Sequence, residues 1–313
     1  MKRIIALCVS VILCFAVFAG CSAAVVESSA SASASVKPTA EETASAKAGK
    51  TVTDMAGAEV EIASAEKIVS LSPSGTEIVC ALGAAKRLIG IDAFSNYPEL
   101  TQSVEVVGDF NGPDVEKIVS LEPDVVLAGN TLQKEAIDNM KKLGITVVSV
   151  EATAFEDIAK SIELVGNIVD AQNEAKQVIG EIDAAVTEAQ KNKPKEPKSV
   201  YYAMSYGDAG NWTSGPGSFI NTMIELAGGK CVTEGQAAPW IEYPMEDLMV
   251  ANPNIILADA SMGSVGDISA AQGYKDIDAV KNGAVYAVNA DVFTRPGPRI
   301  AEAITQLSEI INK

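Results

Sequence analysis

From residue 67 onward, short apolar runs alternate with segments of helical spacing, and this alternation constrains the fold more than any other feature. KIVSL (67–71) ends at Ser72-Pro73-Ser74-Gly75, and TEIVCALGA then places apolar residues at 78, 79, 82 and 85. That predicts strand, loop and helix in turn. LIGI (88–91) and VEVV (104–107) predict two further strands. Asp114 is placed to cap a helix over VEKIVSL, which Pro123 stops; DVVLAG, QKEAIDNMKKLG and TVVSV continue as strand, helix and strand. Strands alternating with helices pack as a parallel sheet covered on both faces, which makes this an α/β protein.

Residues 155–191 are helical in pattern, with a break predicted near Gly166 and 170–173. The second helix, roughly 172–191, is expected to be about 28 Å long. After the charged exit KNKPKEPK (191–198) a second series begins: SVYYAM as strand, a long Gly-rich loop, SFINTMIELAGG and EDLMVAN as helices, NIILAD and AVYAV as strands, and AEAITQLSEIINK as closing helix. The expected organisation is therefore an N-terminal lobe over 51–155, a helical connector over 156–197 and a C-terminal lobe over 198–313.

Two repeats compete for attention. EKIVSL occurs at 66–71 and again at 116–121. The first copy lies mainly on a predicted strand and the second on a predicted helix, so the identity is coincidental, because context overrides local propensity. The informative pair is VEKIVSLEPDVVLA (115–128) and MEDLMVANPNIILA (245–258), at a constant offset of 130. Glu, Pro, Leu and Ala coincide, and Asp124 meets Asn254. This is one helix–Pro–strand unit used once in each lobe.

The chain opens with Lys2-Arg3 and an apolar stretch over 4–19, which reads as a signal peptide (1–20). Phe18-Ala19-Gly20-Cys21 resembles the lipobox of bacterial lipoproteins, which makes Cys21 the expected lipidated residue. Residues 21–50 are rich in Ser and Ala and lack large apolar side chains, as a flexible tether does. The net charge of −17 argues against nucleic acid and anionic lipid as partners. Cys80 and Cys231 remain beyond Cys21, in apolar helical contexts of different halves, and are expected as buried free thiols. The chain has no histidine, so Ser-His-Asp, Cys-His and His-ligated zinc sites are excluded, as is an axial imidazole for haem or cobalamin. No Walker motif or GxGxxG occurs. An enzyme on this fold would need paired carboxylates; Asp109, Asp208 and Asp291 lie on suitable loops, but nothing in the sequence pairs them. A surface adhesin would carry exposed aromatics without a cleft.

Several stretches in order resemble the substrate-binding proteins of ABC importers for vitamin B12 and ferric siderophores, the helical-backbone class. They are TDMAGAEVEI (53–62), KIVSLSPSGTEIVCALG, NYPE, VGDFNGPDVEKIVSLEPDVVLA, WTSGPGSFINTMIELAGGK, APW with PMEDLMVANPNIILA, and FTRPGPRI. The resemblance runs from about 51 to 313. It implies two Rossmann-like lobes with central parallel sheets joined by one long rigid helix, and a ligand held between them. It implies no enzyme activity, no catalytic residue, no metal site and no resident cofactor. The ligand it implies is cobalamin or a related corrinoid, with a ferric siderophore as the alternative. Tyr97, Phe110, Trp212 and Trp240 match aromatic cleft positions, as suits a large flat ligand. Arg295 is a further expected contact, while Arg299 at a helix start is expected to tie loops together. Glu116 and Glu246 match the pair that docks onto a permease dimer with cytoplasmic ATPases. The resemblance implies a monomer outside the cell membrane, held there by its lipid.

Overall fold

A computed structural model describes residues 49–109, 112–129 and 134–313. The proposed signal peptide, Cys21, most of the tether and Phe110 lie outside the described residues. A hairpin of β1 (Lys50–Thr53) and β2 (Glu59–Ile62) leads into β3 (Ile68–Ser70), α1 (Pro73–Ala81) and β4 (Leu88–Ile91). There follow a short hairpin of β5 (Gly108–Asp109) and β6 (Gly112–Pro113), then α2 (Val115–Ser120), β7 (Val125–Ala128), α3 (Lys134–Lys142) and β8 (Val147–Ser149). The connector is α4 (Asp157–Val169) and α5 (Gln172–Lys191). The second lobe runs β9 (Lys198–Ala203), β10 (Trp212–Ser214), α6 (Phe219–Leu226), β11 (Gly229–Cys231), β12 (Trp240–Glu242), α7 (Met245–Ala251) and β13 (Ile255–Asp259). It closes with α8 (Val265–Ala270), α9 (Asp278–Lys281), β14 (Val285–Val288), α10 (Ala290–Phe293) and α11 (Ile300–Ile311).

Both lobes carry a four-stranded, all-parallel sheet, ordered β4-β3-β7-β8 in the first and β11-β9-β13-β14 in the second. In each, the first strand lies second and the strand of the 130-offset unit lies third. The two sheets thus share one topology. The period-2 alternation of strand side chains sorts the core. Ile68, Val125, Leu127, Val200, Tyr202, Ile255 and Leu257 face a central cluster that also holds α1, α4, α6 and α11 residues from both lobes. Val69, Val126 and Ala128 face an outer cluster with Ile118 of α2 and Met140 of α3. Tyr201, Ala203, Ile256 and Ala258 face the other outer cluster, with Leu248 of α7 and Ile268 of α8. The lobes therefore share one continuous apolar core, and α2 and α7 occupy equivalent outer layers.

The 130-residue correspondence extends to backbone conformation. Each short helix ends in a left-handed residue just before its proline, Glu122 (φ 48°) and Asn252 (φ 42°). A proline disfavours helical conformation in the residue before it, and the left-handed turn redirects the chain into the next strand. The residue after the proline then latches the lobe's first strand. Asp124 accepts from Ser64 Oγ (2.9 Å) and from the Glu66 and Lys67 amides (2.8 and 2.9 Å). Asn254 Oδ1 accepts from the Ser199 amide and hydroxyl, both at 2.9 Å.

Two expectations need amendment. VEVV (104–107) forms no strand of the sheet; it makes a single bridge, Val106 to Ile91, before the chain turns into the β5–β6 hairpin. The break expected between the two connector helices lies at Asp170, which is left-handed (φ 58°). The second, α5, has twenty residues and spans about 30 Å. It buries Ala175, Ile182 and Ala189 along one stripe and packs against α4 and α11. Finally, the Gly-rich loop after β9 contains a strand, β10, whose partner β12 lies beyond α6.

Asp124→Ala and Asn254→Ala should each lower stability by about 2 kcal/mol, and in additive fashion, since the latches lie in different lobes. Urea unfolding of the two single variants and the double variant checks this.

Candidate ligand site between the lobes

Segments that follow the carboxyl ends of the two sheets meet. At their junction lies Glu77 on α1, only 3% exposed. Two arginines of the second lobe converge on it. Arg299 grips it with two bonds, Nε to Oε2 at 2.8 Å and Nη2 to Oε1 at 2.5 Å, and Arg295 Nη1 reaches Oε1 at 2.9 Å. Arg295 also donates to Asn96 Oδ1 (2.9 Å) and to the Phe94 carbonyl (3.0 Å), and pairs with Asp291 Oδ1 at 2.6 Å. Asn96 returns a bond from Nδ2 to Asp291 Oδ2 at 3.1 Å. Burial alone would lower the Arg299 pKa, but the hydrogen bond and charge of Glu77 outweigh it and raise the value. The latch thus sets two guanidinium groups against two carboxylates.

Further polar groups end the first-lobe strands. Asp92, just after β4, accepts from the Ser95 hydroxyl (2.6 Å) and the Phe94 amide (2.8 Å). Glu151, after β8, accepts from the hydroxyls of Ser72 and Ser74. Burial raises the pKa of both carboxyls against the opposing effect of these bonds.

The second lobe contributes an aromatic face. β10 and β12 pair antiparallel, with Trp212 opposite Glu242 and Ser214 opposite Trp240. Residues two apart share a face, so both tryptophans of the chain stand on one side of this ribbon, on the diagonal. They are 41% and 39% exposed, so each keeps an open surface. Trp240 is braced edge-on by Phe219 at 6.3 Å between centroids. The Trp212 carbonyl accepts from the Met204 amide at 3.0 Å, which ties the ribbon to the carboxyl end of β9. Gly215 permits the close approach of the two chains: its amide bonds the Pro239 carbonyl at 2.8 Å, and a Cβ there would lie 2.1 Å from the Ala238 carbonyl oxygen.

Of the expected ligand contacts, Trp212 and Trp240 are brought together. Tyr97 lies on the opposite lobe, in the loop after β4, with the Arg299 guanidinium 4.2 Å from its ring centroid. Arg295, the further expected contact, is a buried strut between the lobes, with two acceptors on each terminal nitrogen. Arg299 ties loops as expected. Glu116 and Glu246 are exposed and stand at the second position of α2 and α7, one in each lobe. One turn on, at the same face of each helix, lie exposed Val119 and Met249. Cys80 and Cys231 are free thiols; Cys231 is buried and Cys80 half-buried, and burial pushes Cys80 up to about 11. Among the described residues no group of acids and cysteines could hold a metal ion.

Glu77 was missed from the sequence. The available signal was an acid beside the buried run Ile78-Val79 of an apolar helix, which requires a cationic partner. Asp92 and Glu151 carried no comparable signal.

Residues 68–292 match the model of the periplasmic binding protein family, so the chain belongs to that family of solute-binding proteins rather than to an enzyme family. It is 34% identical over 254 residues to an uncharacterised ABC transporter substrate-binding lipoprotein of Bacillus subtilis, covering 79% of this chain and 80% of the other. It is 28% identical over 248 residues to the vitamin B12-binding protein of Yersinia pestis, covering 78% and 86%. Among solved structures, a possible iron-binding (periplasmic solute-binding) protein of Staphylococcus epidermidis superposes with a TM-score of 0.69 at 26% identity, covering 79% of this chain and 99% of that one.

Glu77→Ala leaves two buried guanidinium groups without their shared acceptor and should cost about 3–5 kcal/mol. Chemical unfolding at neutral pH measures it; a loss under about 1 kcal/mol would show that the latch is not a main support of the interface.

Proposed function

We propose that this protein is the extracytoplasmic solute-binding component of an ABC importer, and that it captures cobalamin or a related corrinoid between its lobes. The observation that carries the reading is the pair of half-open tryptophans on one face of the β10–β12 ribbon, with Tyr97 on the opposing lobe. Broad indole faces suit a flat, largely apolar macrocycle. The relationship to a vitamin B12-binding protein supports the same ligand class. A ferric siderophore is the second reading, supported by the likeness to a possible iron-binding protein. The arginines that would attract an anionic catecholate are engaged by Glu77 and Asp291, which favours the corrinoid. A metal-dependent enzyme is the least supported reading.

The common core, the latch and α5 packed on α11 restrain the lobes, so capture proceeds with small hinge motion. Lipidation of Cys21 holds the protein to the membrane; among the described residues no helix is long and apolar enough to cross it. Glu116 and Glu246, at equivalent positions of two lobes with one topology, address a permease dimer with two equivalent receptors. Rim charges of this kind set orientation and association rate.

Incubation with cyanocobalamin, desalting and visible absorption should leave the protein red, and calorimetry should give a single saturable site. Retention of ferric siderophores and of no corrinoid would replace the first reading by the second. Trp212→Ala and Trp240→Ala should each weaken binding about tenfold or more. In membranes carrying the importer, Glu116→Arg with Glu246→Arg should abolish uptake while ligand affinity in solution is unchanged; intact uptake would refute docking through these acids.

A further inference from the structure

The ribbon that carries the two tryptophans carries a third side chain on the same face. Glu242 lies directly opposite Trp212 in the β10–β12 register, and residue 240 stands two positions before it on one strand. Side chains at 212, 214, 240 and 242 therefore project to one side. Glu242 is exposed, and among the described residues its carboxylate accepts no hydrogen bond and forms no ion pair. Its carboxylate stands over Gly210, where a Cβ would meet Glu242 Oε1 at 2.8 Å and Trp212 Nε1 at 3.4 Å. Gly210 is left-handed (φ 78°) and leaves the space in which this acid sits beside the edge of the indole.

Of the four side chains on this face, Glu242 alone is charged. The arginines nearest the junction are matched by carboxylates: Arg299 by Glu77, and Arg295 by Glu77 and Asp291. They therefore offer little attraction to an anion from outside. Glu242 is unmatched, and the faces of both indoles carry the negative side of a quadrupole, which attracts cations.

We propose that Glu242 is a specificity-determining residue of the aromatic site, selecting flat or compact ligands that present positive charge or N–H donors over anionic ones. The proposal rests on the reading of the tryptophan face as the ligand platform, but not on the ligand being a corrinoid. A carboxylate beside the bound ligand stabilises a cation and repels an anion, and part of its effect is removed by salt. Because the chain has no histidine, no imidazole can replace the water of aquocobalamin and obscure the comparison.

The test is calorimetry of the wild type and Glu242→Gln with two probe pairs. Cationic aquocobalamin is set against neutral cyanocobalamin, and cationic ferrioxamine B against the trianionic ferric complex of enterobactin. In whichever pair binds, Glu242→Gln should weaken the cation about fivefold. It should leave cyanocobalamin within about twofold and strengthen the anion, and added salt should shrink the wild-type preference. Equal change for both members of the bound pair, or no change in either, would overturn the charge selection while leaving the platform intact. Failure of Trp212→Ala and Trp240→Ala to weaken any bound probe would overturn the platform reading and this proposal with it. Glu242 is exposed, so an unchanged melting temperature serves as the folding control.

Discussion

A carboxylate at 3% exposure, Glu77, accepts from two arginines that come from the other half of the chain. An unpaired charge at that depth would be strongly unfavourable, and the only sufficient compensation is donors in good geometry. The bidentate grip of Arg299 supplies it, and Arg295 extends the contact to Asn96, Phe94 and Asp291. The latch therefore fixes the register of the two lobes at the edge where their strands end. It also engages both arginines with carboxylates, so one structural requirement shapes the local charge.

The shared apolar core complements the latch. Side chains of both sheets, α4, α5 and α11 belong to one cluster, and the long connector lies against the last helix of the chain. Two lobes that hold a common core cannot separate as widely as two that are joined by a strap alone. A ligand captured between the lobes, as proposed, would meet walls already close to their final positions, which lowers the ordering cost of binding. A pair of half-open indoles on a braced ribbon is consistent with such a preorganised site.

Much of the architecture was legible because it depends on local chemistry. Apolar runs of four or five residues became the buried strands, Asp114 became the cap of α2 with its bond to the Lys117 amide, and Pro123 and Pro253 marked the entries to β7 and β13. The offset of 130 residues anticipated equivalent units, and the left-handed Glu122 and Asn252 show how far that equivalence reaches. What escaped the sequence was non-local. β10 pairs with β12 across an intervening helix, and nothing within WTS or WIE announces that partner. VEVV had the composition of a strand but found only one bridging position at the edge of the sheet.

For the site, the residue types were readable and their company was not. Trp212 and Trp240 could be picked out as the two tryptophans of the chain, and Arg295 and Arg299 as two of its four arginines. The sequence by itself determined the alternation of strand and helix, the duplicated unit and the exclusion of imidazole chemistry, because each follows from residue type and short-range spacing. Tertiary structure alone decided that Glu77 would gather both arginines from more than two hundred positions away. It alone set Glu242 on the same face as the two indoles. Burial and cross-strand register arise only when distant segments pack, and they settle which charges are neutralised and which remain to meet a ligand.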